Sequence, residues 1–291
     1  MSRTGLALRA LRLWMSGSSA DPTADYDAAS GTYDDYFTTV MGRHSMGLLD
    51  DVTVEPGQTV LDLACGTGHL TGEIARRLQG HGRLLVVDKS PGMLEVARRK
   101  LQPAPGLELT FRQGDMEEFM RAQPDASADL VVIGWAICYS QPIRLLRQVS
   151  RVLRPGGHVA VIETRADALS TLRHAFEQVV ADDPSMLKAL IRVSLPKDER
   201  TLGRWFLKSG LTPIQLGHGD QDLPCRTTAE ALDWVERSGA GAGFRDSFDI
   251  SRETEIRGRL GLALENHRGR NGSLGLRHTF VVGVAGLPAP S

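Results

Sequence analysis

The sequence predicts an α/β fold, a doubly wound and mostly parallel sheet covered by helices, and three observations carry that expectation. Short apolar runs rich in Val, Ile and Leu alternate with helix-spaced segments from residue 59 onward, the rhythm of strand, crossover helix and strand. Those runs are apolar at successive positions, as strands buried on both faces require. The chain of 291 residues has 41% apolar and 24% charged side chains, with 34 basic against 35 acidic residues and a formal charge of −1. That is enough for one large core, and it excludes disorder and a coiled coil.

Residues 1–45 precede the sheet and read as an N-terminal helical segment. Leu6, Leu8, Leu11, Leu13 and Trp14 are interrupted by Arg3, Arg9 and Arg12 with no acid among the first 20 residues. The pattern is no secretory signal, and a structural helix, an organellar transit peptide and a surface-seeking helix all remain open. Ser16-Gly17-Ser18-Ser19 and Asp21-Pro22 mark a hinge. Strands are expected at 59–64, 83–88, 107–113, 129–134 and 157–164, with helices at 70–79, 93–101 and 143–153 between them. After Thr164 the period changes: Leu169, Leu172, Phe176 and Val179 share one helical face, and Leu187, Leu190 and Ile191 follow before Pro196. This predicts a helical insertion at about 165–196 within a domain spanning 46–291. The remainder predicts helices at 201–208, 228–237 and 252–267 and strands at 212–216 and 278–284.

Several function classes are disfavoured before any motif is considered. The densest basic cluster, Arg98-Arg99-Lys100, reads as a solvated helix face, so no nucleic acid partner is expected. Cys65, Cys138 and Cys225 lie far apart without Cys-x-x-Cys or Cys/His pairing, which predicts neither disulfides nor a metal site and fits a cytoplasmic protein. No apolar stretch is long enough for stable membrane insertion. Only five of the basic residues are lysine, a bias common in GC-rich bacterial coding. Oligomeric state has no sequence signature here.

The strongest chemical signal is Val60-Leu61-Asp62-Leu63-Ala64-Cys65-Gly66-Thr67-Gly68-His69-Leu70, an apolar strand ending in a Gly-x-Gly turn that opens a helix. Such glycines let a ligand approach the backbone closely. A dinucleotide fingerprint would place a third glycine at position 71, where this chain has Thr71, and Asp62 sits inside the strand instead, which disfavours NAD. Asp88 ends the second strand, placed to accept both ribose hydroxyls of an adenosine through charged hydrogen bonds worth about 1.5–3 kcal/mol each.

These residues resemble the class I S-adenosylmethionine-dependent methyltransferases. Asp62-x-x-x-Gly66-Thr67-Gly68 matches the nucleotide loop of that family, Asp88 its ribose acid and Gly114-Asp115-Met116 its adenine-side segment. Asp129-Leu130-Val131-Val132 matches the fourth strand, and Leu153-Arg154-Pro155-Gly156-Gly157 the approach to the fifth. The blocks are correctly ordered over about residues 59–164. The resemblance implies a seven-stranded, Rossmann-like sheet with an antiparallel last strand and S-adenosyl-L-methionine as cofactor. It carries donor contacts to Asp62, Ala64, Gly66, Gly68, Asp88, Lys89, Met93, Asp115, Met116 and Trp135.

Upstream, Tyr26-Asp27-Ala28-Ala29-Ser30-Gly31-Thr32-Tyr33-Asp34 resembles the N-terminal segment of the ubiquinone and menaquinone C-methyltransferase branch and adds Tyr33 to the donor site. Two readings stand for the aromatics here: a lid whose rings face the sulfonium, or Tyr26, Tyr33 and Phe37 as the buried stripe of an amphipathic helix.

The catalytic end is less defined. Where many small-molecule members carry Ala-Leu-His-His after the fourth strand, this chain has Trp135-Ala136-Ile137-Cys138-Tyr139, so no catalytic base is assigned. Tyr139 is a candidate to orient an acceptor, Trp135 to pack on adenine and Glu163 to face the pocket, each against the alternative of ordinary packing or solvation. The Asp/Asn-Pro-Pro-aromatic element of base-modifying members is absent, as is the two-glutamate loop of the protein arginine branch. The expectation is methyl transfer to carbon or oxygen of a small, partly apolar metabolite in bacterial secondary metabolism. The alternatives are a cyclase or isomerase that binds the same cofactor on the same fold, and a non-catalytic binding subunit.

Overall fold

The computed structural model describes residues 3–102, 104–241, 247–269 and 272–288. Its residues divide into two compact units. One, the sheet unit, comprises Thr38–Ala166, Val193–Asp220 and Thr279–Ser291; the other, the helical unit, comprises Met1–Phe37, Asp167–Arg192 and Gln221–His278.

The sheet unit is organised by strands β1 (Thr59–Leu63), β2 (Gly82–Asp88), β3 (Leu107–Gln113), β4 (Ala128–Gly134), β5 (Leu153–Thr164), β6 (Thr212–Asp222) and β7 (Arg277–Gly286). They form a seven-stranded sheet in the order β3-β2-β1-β4-β5-β7-β6. The pairs β1/β2, β1/β4, β2/β3 and β4/β5 are parallel, and β5/β7 is antiparallel. The expected mostly parallel sheet with a reversed last strand is therefore present. β1 is buried along its whole length, which explains its uninterrupted run of large apolar residues around Asp62.

The crossover helices carry legible start signals. Numbered in chain order among the described residues, α1 is Arg3–Met15, α2 Thr23–Ala29, α3 Thr39–Asp50, α4 His69–Arg77, α5 Pro91–Lys100, α6 Met116–Ala122, α7 Pro142–Val152, α8 Ser170–Asp182, α9 Glu199–Leu207, α10 Thr228–Arg237 and α11 Glu253–Asn266. Ser90 caps α5 by accepting the Met93 N–H at 3.1 Å, with Pro91 in the first turn. Asp115 caps α6 by accepting the Glu117 and Glu118 N–H groups. α7 buries Leu145, Leu146, Val149 and Val152 against the sheet core.

Two expectations change. β6 runs to Asp222, although its second half, Gly217-His218-Gly219-Asp220-Gln221-Asp222, is too polar to read as a strand. It lies at the sheet edge, where one face and one flank stay wet, and its glycines admit β7: a Cβ at Gly219 would meet the Phe280 ring at 2.5 Å. In the insertion, α8 forms but Leu187, Leu190 and Ile191 do not continue as a helix. A 3-10 turn at Pro184–Met186 intervenes, and the backbone there pairs with other loops of the helical unit: Lys188 N–H donates to Ser247 O at 2.7 Å and Leu190 N–H to Ser18 O at 3.1 Å. The insertion, the N-terminal 37 residues and residues 221–278 thus fold as one unit.

Candidate active site

Strand order reverses between β1 and β4, since β2 and β3 lie to one side and β5 to the other. At such a switch point the loops leaving two neighbouring strands diverge and open a crevice at the carboxyl ends. The last paired residues there are Leu63 and Ile133. Both chains leave with left-handed backbone: Ala64 has φ 58°, Gly66 φ 55° and Gly68 φ 83° after β1, and Trp135 has φ 59° after β4. Left-handed alanine and tryptophan are costly, about 1–2 kcal/mol each, and such strain persists where surrounding structure imposes it.

The two glycines of the turn have different reasons. A Cβ at Gly66 would meet nothing within 4 Å and would project into open space. A Cβ at Gly68 would meet Leu101 Cδ1 at 2.9 Å and Ala97 Cβ at 3.2 Å, so Gly68 lets α4 pack close to α5. Gly66 is the open cradle, and Gly68 is packing.

Asp88, at the end of β2, closes this turn. Its Oδ2 accepts the Gly66 N–H at 2.7 Å and its Oδ1 accepts the Ser90 N–H at 2.9 Å. A carboxylate offers about four lone-pair directions. The two backbone donors therefore orient the group at the carboxyl end of β2. Gly114 N–H donates to Asp88 O at 2.9 Å, bringing the start of α6 alongside. Among the other expected donor contacts, Met93 is buried on α5, Lys89 is exposed between Asp88 and Ser90, Asp115 is the cap of α6 and Met116 packs beside the sheet core.

Asp62 is only 1% exposed, and its Oδ2 accepts the Thr71 hydroxyl at 2.6 Å. Burial pushes its carboxyl up to about 7, opposed by the Thr71 hydrogen bond and reinforced by the nearby Asp88 charge. Thr71 occupies the position of the missing third glycine, and its hydroxyl is what the buried carboxylate needs.

Trp135 is held by its indole, which donates from Nε1 to Ser45 Oγ of α3 at 2.8 Å, while its ring meets Phe280 edge-on at 5.7 Å between centroids. His44 of the same helix tilts against the Phe280 ring, with centroids 4.7 Å apart. Glu163 does not stand in the crevice as a free acid. It is 1% exposed, accepts the Cys138 N–H at 3.0 Å and the Thr164 N–H at 2.7 Å, and burial raises its carboxyl to about 7. It ties the Trp135–Ser140 loop to β5. Ser45, Thr71 and Glu163 are thus the residues whose roles sequence reading missed; the departure from glycine at 71 was the one available signal.

Tyr33 belongs to the helical unit. There it stacks on Phe37 at 5.0 Å and lies 6.4 Å from Tyr26. Phe37 is buried there, while Tyr26 and Tyr33 are half-buried. Among the described residues no group of three or more His, Cys, Asp or Glu could hold a metal ion, and no helix is long and apolar enough to cross a membrane.

Residues 60–157 match the family described as "Methyltransferase domain". The chain is 27% identical over 206 residues to the demethylmenaquinone methyltransferase of Lactococcus lactis, covering 66% of this chain and 80% of that protein. It is 30% identical over 180 residues to the ubiquinone/menaquinone biosynthesis C-methyltransferase of Idiomarina loihiensis, covering 57% and 71%. Among solved structures, a chain of the Haloferax volcanii complex between the Trm112 methyltransferase activator and a methyltransferase superposes with a TM-score of 0.56 at 21% identity, covering 90% of this chain and 97% of that one.

Proposed function

Because the chain belongs to the class I S-adenosylmethionine-dependent methyltransferases, we propose that it transfers the donor's methyl group to carbon or oxygen of a small, partly apolar metabolite. Its cofactor is S-adenosylmethionine. The observation that carries the reading is the pairing of an open glycine cradle at Gly66 with a carboxylate, Asp88, fixed by two backbone N–H groups at the end of the adjacent strand. Carbon is favoured over oxygen by the Idiomarina loihiensis relative, which is named a ubiquinone/menaquinone biosynthesis C-methyltransferase.

When bound, S-adenosylmethionine would supply an activated methyl on a sulfonium to the acceptor's electron pair, with S-adenosylhomocysteine and a proton to solvent as the other products. The chain's residues would bind and align. Asp88 would hold the ribose, the turn at 64–68 would offer its amides and close approach, and Trp135 would flank the adenine end of the crevice. The loop after β4 contains Cys138 and Tyr139 as its ionisable side chains and no histidine, so the rate enhancement would come chiefly from alignment of an already nucleophilic atom, which can supply several powers of ten. Cytoplasmic operation and a place in bacterial secondary metabolism belong to the same reading; the free thiols of Cys65, Cys138 and Cys225 support the former.

Calorimetric titration of S-adenosylmethionine into the wild type and Asp88→Asn tests the binding half. Loss of two charged hydrogen bonds to ribose should weaken affinity by about 2–4 kcal/mol, roughly 30- to 1000-fold. Unchanged affinity in a folded variant removes Asp88 from the donor site. Mass spectrometry on candidate quinol and phenol acceptors tests the transfer half, which requires one methyl gained per S-adenosylhomocysteine released.

A further inference from the structure

Helix α1 has two apolar sides, and only one of them is packed. Leu13 is buried and Leu6 and Ala10 are half-buried where the helix meets α8 and the 3-10 turn at Pro184–Met186 within the helical unit. Arg9 fixes that seating by donating from Nε to Leu187 O at 2.9 Å. Leu8, Leu11, Trp14 and Met15 are instead 50–65% exposed. At 3.6 residues per turn these four fall within an arc of about 120°, turned away from Leu6, Ala10 and Leu13. A helix that only covers its own unit needs a single apolar side. A second side, contiguous and rich in large side chains, marks an interaction surface. The indole at Trp14 joins an apolar body to a polar tip, the combination that settles where water meets hydrocarbon.

The charge on this helix has one sign. Arg3, Arg9 and Arg12 lie in it, and no acidic residue precedes Asp21. Arg12 is exposed and borders the apolar arc beside Leu8. Asp183, next to the turn on which α1 packs, is already held by Arg252 at 2.7 Å. A second copy of the chain docked on this face would set α1 against α1, arginine against arginine, with no acid from either helix to pair them. An anionic phospholipid surface supplies what the helix lacks, a negative potential for its arginines and an acyl boundary for its apolar arc. With 13 residues α1 is too short to cross a bilayer, so it would lie on one.

We propose that α1 docks the protein onto an anionic phospholipid surface, lying in the headgroup plane with Leu8, Leu11, Trp14 and Met15 turned to the acyl boundary and Arg12 beside the lipid phosphates. The docking face belongs to the helical unit, and it does not depend on the identity of the methyl acceptor.

The test sediments the full-length protein with vesicles of phosphatidylcholine alone and of phosphatidylcholine mixed in equal parts with phosphatidylglycerol. The anionic vesicles should bind at least about tenfold tighter at low salt, and that preference should vanish at high salt. Arg12→Gln should weaken binding to the anionic vesicles by about three- to fivefold and leave the weak binding to neutral ones unchanged. The pair Leu8→Gln and Leu11→Gln, at exposed positions where glutamine keeps the helix, should weaken binding by at least about tenfold while S-adenosylmethionine affinity stays the same. Brominated acyl chains should quench tryptophan emission in the wild type and not in Trp14→Phe. Equal binding to both vesicle types, binding to neither, or quenching that persists in Trp14→Phe overturns the proposal. Self-association abolished by the Leu8/Leu11 pair, without vesicle binding, overturns it in favour of a second copy on the same face. Should the glutamine pair not fold, the lipid preference and quenching of the wild type decide it alone.

Discussion

Thr71→Val isolates the one bond that makes a buried acid tolerable beneath the glycine turn. Valine keeps the volume and branching of threonine, so the change removes the hydroxyl donor at 2.6 Å from Asp62 Oδ2 with little repacking. The cost depends on the charge of Asp62. With the carboxylate ionised, a hydrogen bond to a charged group is lost, worth about 1.5–3 kcal/mol; with the carboxyl protonated, a neutral bond is lost, worth about 0.5–1.5 kcal/mol. Burial raises Asp62 from 3.8 to about 7, so the folded chain keeps a proton that the unfolded chain has released between those values. The stability contributed by the protonated group is therefore complete below about 4, declines as pH rises toward 7 and is flat above. Since the Thr71 bond lowers the Asp62 pKa, Thr71→Val should extend the decline to higher pH. Thermal unfolding of ligand-free protein should show a loss of roughly 3–10 °C at pH 8 and half of that or less at pH 5. Equal losses at both pH values would refute the assignment of an ionisable, Thr71-bonded Asp62.

The two turn glycines should separate by assay. Both alanine variants incur the left-handed penalty of about 1–2 kcal/mol, but Gly68→Ala also forces a Cβ to 2.9 Å from Leu101, adding about 1–3 kcal/mol of overpacking. Gly66→Ala should instead lower donor affinity more than stability, as calorimetry beside thermal unfolding would show; the reverse ranking contradicts the cradle. Glu163→Gln presents one acceptor and one donor to the Cys138 and Thr164 N–H groups, which both need acceptors. Amide hydrogen exchange at Cys138 should accelerate by about tenfold or more, and the stability slope between pH 4.5 and about 7 that comes from the raised Glu163 carboxyl should diminish. An unaltered exchange rate at Cys138 would detach Glu163 from the loop.

Local pattern was enough for the scaffold. The strand at 107–113 and the helix at 228–237 coincide residue for residue with the expectation, because the spacing of apolar residues is a signal confined to a few neighbours. That Asp62, Gly66 and Asp88 come together was legible for a related reason: the ends of adjacent parallel strands must lie side by side. The polar half of β6 was invisible because an edge strand is stabilised by backbone pairing and by glycines that admit β7, neither of which leaves a hydrophobic trace.

What each buried polar group does was decided only in three dimensions. Glu163 is aimed at an amide 25 residues away, and the Trp135 indole finds a hydroxyl 90 residues away. A buried donor or acceptor must be satisfied, but the chain supplies many candidate partners at such separations and periodicity ranks none of them. The amino-acid sequence by itself determined the sheet, its switch point and the glycine turn after β1. Tertiary packing alone decided that Gly68 serves the α4/α5 contact while Gly66 stays open, and that Tyr33 stacks on Phe37 within the helical unit. These outcomes depend on the volumes and charges of neighbours that only the folded chain brings together.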